Sequence, residues 1–559
     1  MKKKYVRWTL WTIASPFILF IILCILIYLP PIQNFLVDKA AVYASEATGM
    51  NISVGRISLS FPLNLVVTDV DAASPHNDTL LSVRRLQVNV QLLPLLKKQV
   101  EVDGISLQGA TVNSNDLIHG MKLNGTLGEL FISSHGVALD PETAIINKVL
   151  LKDTDLSLCL NDTAAADTVA SDTTYWKIIL QDIDLQNVSF ALDMPLDSLS
   201  LAASLDNAIL RDGLIDLHKS AYSLQTFRIE NGRVRYDSGK PLAADSLSSG
   251  LDPSHIALTD IGVKLDSLYY EGRNMKAIIS QFVLKERSGV EIVSATGRMV
   301  SNDKVLRVPS LKLETRDSYL ELNAAMDWNA LDFKDEGLVS ARLMADIGKP
   351  DVVRFMGSMD EKFIRQYPSE PLRIRTGIDG DLNKLKLTTL TAELPGALGL
   401  FARGELTHLT DNLLRGGDIT LEAETKDLKF VPTLAEGIEI PYGTRLEGKF
   451  TMAGTKMGTD LLLMQPEAQA VVAADTIPIT VYNDSISVAD DFKMERAARL
   501  FAKYDLSRDR YEADLAVNHF DLHQFMPADS LYTLSTRLKV EGEGFDFFSP
   551  RTYFNAEAA

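Results

Sequence analysis

From Ile52 to the end of the chain, apolar and polar residues alternate one for one, the period of a β-strand with one dry face and one wet face. Leu86, Val88, Val90 and Leu92 alternate with Gln87, Asn89 and Gln91, and Leu446, Phe450 and Met452 alternate with Arg445, Glu447, Lys449 and Thr451. The same period returns at Ile419-Leu421-Ala423, at Tyr511-Ala513-Leu515-Val517 and at Leu534-Leu538-Val540. Gly, Asn and Asp turn signals separate these runs, which predicts that nearly the whole body is antiparallel sheet.

Few stretches break the period. Val352 to Tyr367 places Val352, Phe355, Met356, Met359 and Phe363 on one side of a helix, and a weaker helical pattern surrounds Glu495 to Tyr504. Residues 162–174 and 238–254 are small, polar and acidic, with too little apolar surface to offset their ordering entropy, and read as loops or mobile insertions. A sheet with one dry face has to cover it. Helices are too scarce for that, which leaves a second sheet, a coiled or U-shaped sheet folded over its own interior, or an interior filled by something apolar such as lipid.

Ahead of the alternation, Trp8 to Leu29 forms 22 positions without a charge, long enough as a helix to cross a hydrocarbon core of roughly 30 Å. Phe17 and Phe20 lie inside this span, with Trp8, Trp11 and Leu29 towards its ends. It leads into Pro30-Pro31-Ile32-Gln33 rather than a small-residue cleavage site, and reads as a retained anchor over residues 1–29. Lys2, Lys3, Lys4 and Arg7 precede it without an acid, which places the N-terminus in the cytoplasm and the body across the membrane. Residues 30–50 carry Ile32, Phe35, Leu36, Lys39, Ala40, Tyr43 and Ala47 at helical spacing up to Gly49, an amphipathic helix leading into the first strands.

Composition narrows the function. The 559 residues carry a net charge of −18, and the only concentrated basic segment lies before the span, so a nucleic acid, bound through phosphate neutralisation, is excluded as a partner. The two cysteines, Cys24 in the apolar run and Cys159 far along the chain, do not suggest an internal disulfide, and the fold must stand on burial. Near-absence of cysteine suits a bacterial envelope protein better than a disulfide-stapled ectodomain.

No catalytic motif emerges. Gly443 to Phe450 imitates the glycine and lysine spacing of a phosphate loop, but Phe450 stands where Ser or Thr should reach the metal. Gly542-x-Gly544 has Phe547 in place of a third glycine. His519, Asp521 and His523 extend no zinc motif, and the alternation points Asp418, Glu422 and Glu424 to solvent. The glycosylation sequons at Asn51, Asn77, Asn124 and Asn187 matter only in a eukaryotic secretory setting. Neither G-x-S-x-G nor H-E-x-x-H occurs, so the chain reads as no enzyme and needs no cofactor.

Residues 54–112 directly follow a membrane helix. They include Leu65-Val66-Val67-Thr68-Asp69-Val70, the Leu93-Pro94-Leu95-Leu96 step and the Val100-Glu101-Val102 and Ile105-Ser106-Leu107 strands. This stretch resembles the opening of AsmA-like and TamB-type proteins, the inner-membrane part of the translocation and assembly module. Residues 372–406 and 519–546 are similar to the repeating strand units of the same family.

The resemblance implies a mostly β fold in which an elongated, repetitive antiparallel sheet curls into a U-shaped, taco-like hydrophobic groove with a few short helices. Its regions are an AsmA-like β region at 51–160, a β region with acidic insertions at 161–255 and a continuing groove at 256–559. The groove candidates are Leu86, Val88, Val90, Leu385, Leu387, Ile419, Leu421, Leu446, Phe450, Met452, Leu515, Val517 and Leu538. The implied function is movement of phospholipids between the inner and outer membranes and support of outer-membrane assembly. The alternative is a chaperone-like platform for outer-membrane proteins, working with a TamA-like β-barrel. Residues 551–559 stop inside a strand pattern, which reads as a fragment lacking the C-terminal region that would bind that barrel.

Overall fold

The structure, a computed structural model, describes residues 39, 41–42, 45, 50–60, 64–74, 79–90, 102–114, 120–138, 142–161, 175–239, 250–333, 337–356, 361–434, 437–470, 494–528, 530–545 and 552–559. The membrane-anchor residues Trp8, Trp11, Phe17, Phe20 and Leu29 lie outside this set, as do Leu93 to Leu96, residues 162–174 and most of 238–254. Among the described residues no helix is long and apolar enough to cross a membrane. Of the amphipathic segment, Lys39, Ala41, Val42 and Ser45 are helical, and the Ser45 hydroxyl accepts the Ile52 N–H at 3.0 Å where the first strand begins.

The chain divides into two compact units, Met1–Leu247 with Asp252–Arg287, and Ser248–Leu251 with Ser288–Ala559. The first unit's strands begin with Asn51–Ser60 (β1), Asn64–Ala73 (β2), Thr79–Val90 (β3) and Val102–Asn113 (β4). Four strands of 18 residues follow: Met121–Ala138 (β5), Thr143–Leu160 (β6), Lys177–Met194 (β7) and Leu199–Asp216 (β8). Ala221–Leu224 (β9) and Thr226–Ser238 (β10) share one position between β8 and His255–Glu271 (β11), and Asn274–Glu286 (β12) pairs with β11. Apart from β9 and β10, which lie end to end, neighbours in sequence are neighbours in the first unit's strand order.

One pairing departs from the all-antiparallel expectation. β6 and β7 are parallel, Thr143 beside Lys177 and Cys159 beside Asp193. Alternation encodes which face a residue occupies, not which way a strand runs. A parallel pair needs a connection of a dozen or more residues, and 161–176 supplies it.

The second unit is a meander of fourteen strands, every pairing antiparallel and between consecutive strands. They run Glu291–Ser301 (β13), Val305–Thr315 (β14), Tyr319–Asp327 (β15), Leu338–Ile347 (β16), Leu372–Asp381 (β17) and Lys384–Leu394 (β18). Leu398–Thr407 (β19), Gly416–Thr425 (β20), Arg445–Ala453 (β21) and Lys456–Ala470 (β22) continue it. Met494–Asp505 (β23), Arg510–Asp521 (β24), Thr533–Glu543 (β25) and Tyr553–Ala558 (β26) complete it.

One helical expectation changes. Glu495 to Tyr504 is strand, not helix: Ala498, Leu500 and Ala502 lie beside Leu463, Leu461 and Thr459, while Arg499 on the other face binds Asp460 through two bonds of 2.8 and 2.6 Å. Sheet pairing overrides the helix propensity of this Ala- and Arg-rich segment. Over the expected helix Val352 to Tyr367 the described residues are helical at Lys349–Met356 (α2) and Glu361–Gln366 (α3), which follow a single turn at Trp328–Leu331 (α1). Met359 lies outside the described residues, and Phe355 and Met356 are exposed, whereas Phe363 is buried.

Side-chain cores are small. Phe363, Tyr367, Leu394, Ala397 and Leu428 form one cluster where α3 packs on the ends of β18 and β19. Ala330, Val339 and Leu382 form another at the opposite strand ends.

In nine strands of the first unit the apolar alternation takes a three-residue step at one shared level. Examples are Val54 to Ile57, Val67 to Val70, Leu127 to Leu130, Leu185 to Val188 and Leu205 to Ala208. The register passes through this level unbroken, with Arg56, Thr68, Arg85, Gln108, Glu129, Lys152, Gln186, Asn207 and Glu230 opposed in turn. Each strand therefore takes in one extra residue at the same place. Asp69, Gly109, Asp153, Asn187 and Asn231 absorb it in the left-handed conformation, which Asn, Asp and Gly adopt most readily. This crease resets the side-chain parity and keeps the apolar residues of both strand halves on one face.

Candidate functional site: an apolar sheet face

Because opposed residues share a face, the register assembles the alternating positions into rows that cross the strands. In the first unit one row runs Leu59, Leu65, Val88, Ile105, Ile132, Val149, Ile183, Leu210, Phe227, Leu265 and Ile279. Beside it run Ile57, Val67, Leu86, Leu107, Leu130, Leu151, Leu185, Ala208, Ile229, Val263 and Phe282. Neither row contains a polar residue. Leu86 and Val88 sit in these two rows, and the backbone of Val90 pairs with Val102.

The second unit carries four such rows. The longest crosses all fourteen strands: Gly297, Leu311, Leu322, Leu343, Thr376, Leu390, Ala402, Leu421, Gly448, Leu461, Leu500, Leu515, Leu538 and Ala558. Thr376 is its one polar member. Leu446 and Val517 lie in the row on one side of it, with Leu463 and Ala498 between them. Leu387, Ile419 and Phe450 lie in the row on the other side, and Leu385 and Met452 in the row beyond. All ten candidates from this unit thus share one face. At about 3.3 Å per residue the four rows span about 20 Å, wider than the roughly 15 Å of one bilayer leaflet's hydrocarbon.

From β19 to β26 no Leu, Ile, Val, Phe, Tyr or Met in these rows is buried, and Phe450 keeps 43% of its surface exposed. The buried members are small residues shielded by larger row neighbours, such as Ala402 at 2%. The opposite face is polar. Arg499 binds Asp460, Arg537 binds Asp514 at 2.8 Å, Lys384 binds Glu405 at 2.9 Å and Arg375 binds Asp346 at 2.7 Å. The Asp460 carboxylate beside Arg499 holds that guanidinium's proton above its ordinary affinity. Asp418, Glu422 and Glu424 also lie on this face, where Glu424 meets Arg445 at 3.5 Å.

The remaining motif-like residues have local roles. Gly443 occupies a turn and Lys449 stands on the polar face of β21. The Asp521 carboxylate accepts the His523 N–H at 3.1 Å, His523 stacks on Tyr532, and His519 adopts a left-handed kink in β24. Among the described residues no group of His, Cys, Asp and Glu is arranged to hold a metal ion.

No protein-family model matches the chain, and no curated protein is similar to it.

Proposed function

We propose that the chain is a membrane-anchored envelope scaffold whose apolar sheet face carries phospholipid acyl chains, in the manner of the AsmA-like and TamB-type proteins that residues 54–112 resemble. The observation carrying this reading is the set of mainly apolar rows, broken by Thr459 and Thr536, that is left partly exposed from β19 to β26 and backed by a salt-bridged polar face. Each acyl CH₂ moved from water onto such a surface gains about 0.8 kcal/mol. Leu, Ile, Val and Ala offer no fixed polar partner, so a chain slides from row to row while its head group stays in water.

In this reading Trp8 to Leu29 anchors the chain in a bacterial inner membrane with the body in the periplasm, and lipid passes between the two membranes in support of outer-membrane assembly. A TamA-like β-barrel is the expected outer-membrane partner. The rows favour neither direction, so net flow follows the lipid gradient. The alternative is a chaperone-like platform for outer-membrane proteins, which would dock by strand pairing at a sheet edge.

A photoreactive residue at Leu446 or Leu515, in full-length protein extracted from membranes, tests the proposal. Cross-links to phospholipid are expected. Cross-links to protein alone, with lipid absent from the extracted mass, refute it.

A further inference from the structure

On the polar face of the second unit, Arg375 is paired with Asp346, Arg445 with Glu424, Arg499 with Asp460 and Arg537 with Asp514. Two arginines on its early strands are left over, in a chain whose net charge is −18. Arg307 lies between Leu306 and Val308 of β14, and Arg342 between Ala341 and Leu343 of β16, so the alternation puts both on the polar side. Among the described residues neither guanidinium has a hydrogen bond or an ion pair. Arg298 of β13, opposed to Ser310, is unpaired in the same way.

Pro309 shapes the space between them. It has no N–H for the ladder, and β14 takes in one extra residue there against both neighbours: Val308 and Leu311 oppose Ala324 and Leu322, while Arg307 and Ser310 oppose Val300 and Arg298. Across from this bulge β15 presents Asn323, Ala324 and Ala325, and a hollow of about 310 Å³ opens, lined by these three with Arg307, Pro309, Ser340 and Arg342. All seven belong to β14, β15 or β16, of which every residue is described. The two arginines stand two strands apart, about 10 Å across the ladder, on opposite sides of the hollow.

The acids nearest in the register are engaged elsewhere. Asp379 accepts the Ser340 hydroxyl at 2.6 Å and stands opposite Lys386, and Glu321 accepts the Tyr319 hydroxyl at 2.8 Å and meets Lys312 at 3.9 Å. With the Ser340 hydroxyl spent, the hollow's donors are two guanidinium forks and the Asn323 carboxamide. One fork takes two oxygens of an oxyanion. A carboxylate therefore fills one fork and leaves the other empty, whereas a terminal phosphate has three free oxygens to share between both. We propose that this hollow binds a phosphate-class oxyanion, either inorganic phosphate or the terminal phosphate of a water-soluble phosphomonoester. It lies on the face opposite the apolar rows, so the inference goes beyond the lipid-carrying reading and stands or falls without it.

The test is calorimetry on full-length protein in a non-ionic detergent and a phosphate-free buffer, titrated with inorganic phosphate, glucose 6-phosphate and acetate. Saturable heat is expected with phosphate, and binding at least ten-fold weaker with acetate. R307Q/R342Q should weaken phosphate binding at least ten-fold, about what two exposed charge-assisted contacts supply. K449Q/K539Q removes as much charge from the same face further along and should leave binding unchanged. R342K keeps the charge but loses a fork, and should fall between wild type and the double variant. Unfolding midpoints equal to wild type, expected for exposed positions, confirm that the variants are folded.

Glucose 6-phosphate binding as tightly as phosphate assigns the site to phosphomonoesters, and binding of phosphate alone assigns it to the free anion. No saturable heat from either, acetate bound as tightly as phosphate, or an equal loss in R307Q/R342Q and K449Q/K539Q overturns the proposal.

Discussion

The Gln465 carboxamide completes a hydrogen-bonded ring with the backbone of Asp521: its Nε2 donates to the Asp521 carbonyl at 2.7 Å, and its Oε1 accepts the Asp521 N–H at 2.8 Å. Between them β23 bulges at left-handed Arg496, with Glu467 and His519 similarly kinked in β22 and β24. The side chain, 2% exposed, thus serves as a peptide group where the ladder is interrupted. Gln465→Leu leaves a partly buried N–H and C=O without these partners, at a cost of about 2–3 kcal/mol. Faster hydrogen exchange at Asp521 and its neighbours is the expected readout, and unchanged exchange would show that the ring is dispensable.

The crease makes a different demand. Asn187 holds φ 51°, and its Nδ2 donates to Asp153 across the parallel pair at 2.9 Å. Val at this position meets the left-handed penalty in full and loses that bond, so Asn187→Val should destabilise the first unit by about 1–2 kcal/mol. Asn187→Gly keeps the conformation and should cost less than Val. Denaturant unfolding of the two variants side by side checks the order, and a valine variant as stable as the glycine one would mean the crease tolerates another geometry.

These two features mark where sequence and structure part. Period-two alternation determines a residue's face, so Leu421, Leu515 and Leu538, more than a hundred residues apart at the extremes, could be assigned to one surface before any pairing was known. The three-residue steps were also on view, each with Gly, Asp, Asn or another polar residue inside it, as at Thr68-Asp69 and Gln186-Asn187. Seen singly they pass for noise, and only their alignment across strands gives them meaning. Strand direction in β6 and β7 left no mark in the alternation.

The β23–β24 turn supplies a pH signature. Asp505 accepts the Ser507 hydroxyl at 2.6 Å, its N–H at 2.9 Å and the Thr455 hydroxyl at 2.9 Å, and these bonds lower its carboxyl from 3.8 to about 2. A carboxyl whose affinity for protons falls on folding stabilises the folded state above its unfolded value and ceases to do so as pH drops through the folded one. The difference in unfolding midpoint between wild type and Asp505→Asn should therefore be constant above about pH 5, shrink between about pH 4 and pH 2, and be gone below. A difference that persists at the acid end would assign the turn's stability to something other than the carboxylate.

The apolar rows allow the sharpest separation of folding from function. In a packed core, a charge in place of leucine strands an ion away from water and typically costs several kcal/mol. Leu500 stands in the longest row but is only half-buried among the described residues, flanked by Leu461 and Leu515, so an introduced lysine can extend its ammonium into solvent. Leu500→Lys should thus cost no more than about 1 kcal/mol in unfolding experiments, yet break the acyl path at its centre and reduce co-extracted phospholipid. Leu394→Lys, at a position 5% exposed inside the α3 cluster, should instead unfold its surroundings. If Leu500→Lys proved as damaging to stability as Leu394→Lys, the row would be a core after all, closed by protein rather than open to lipid.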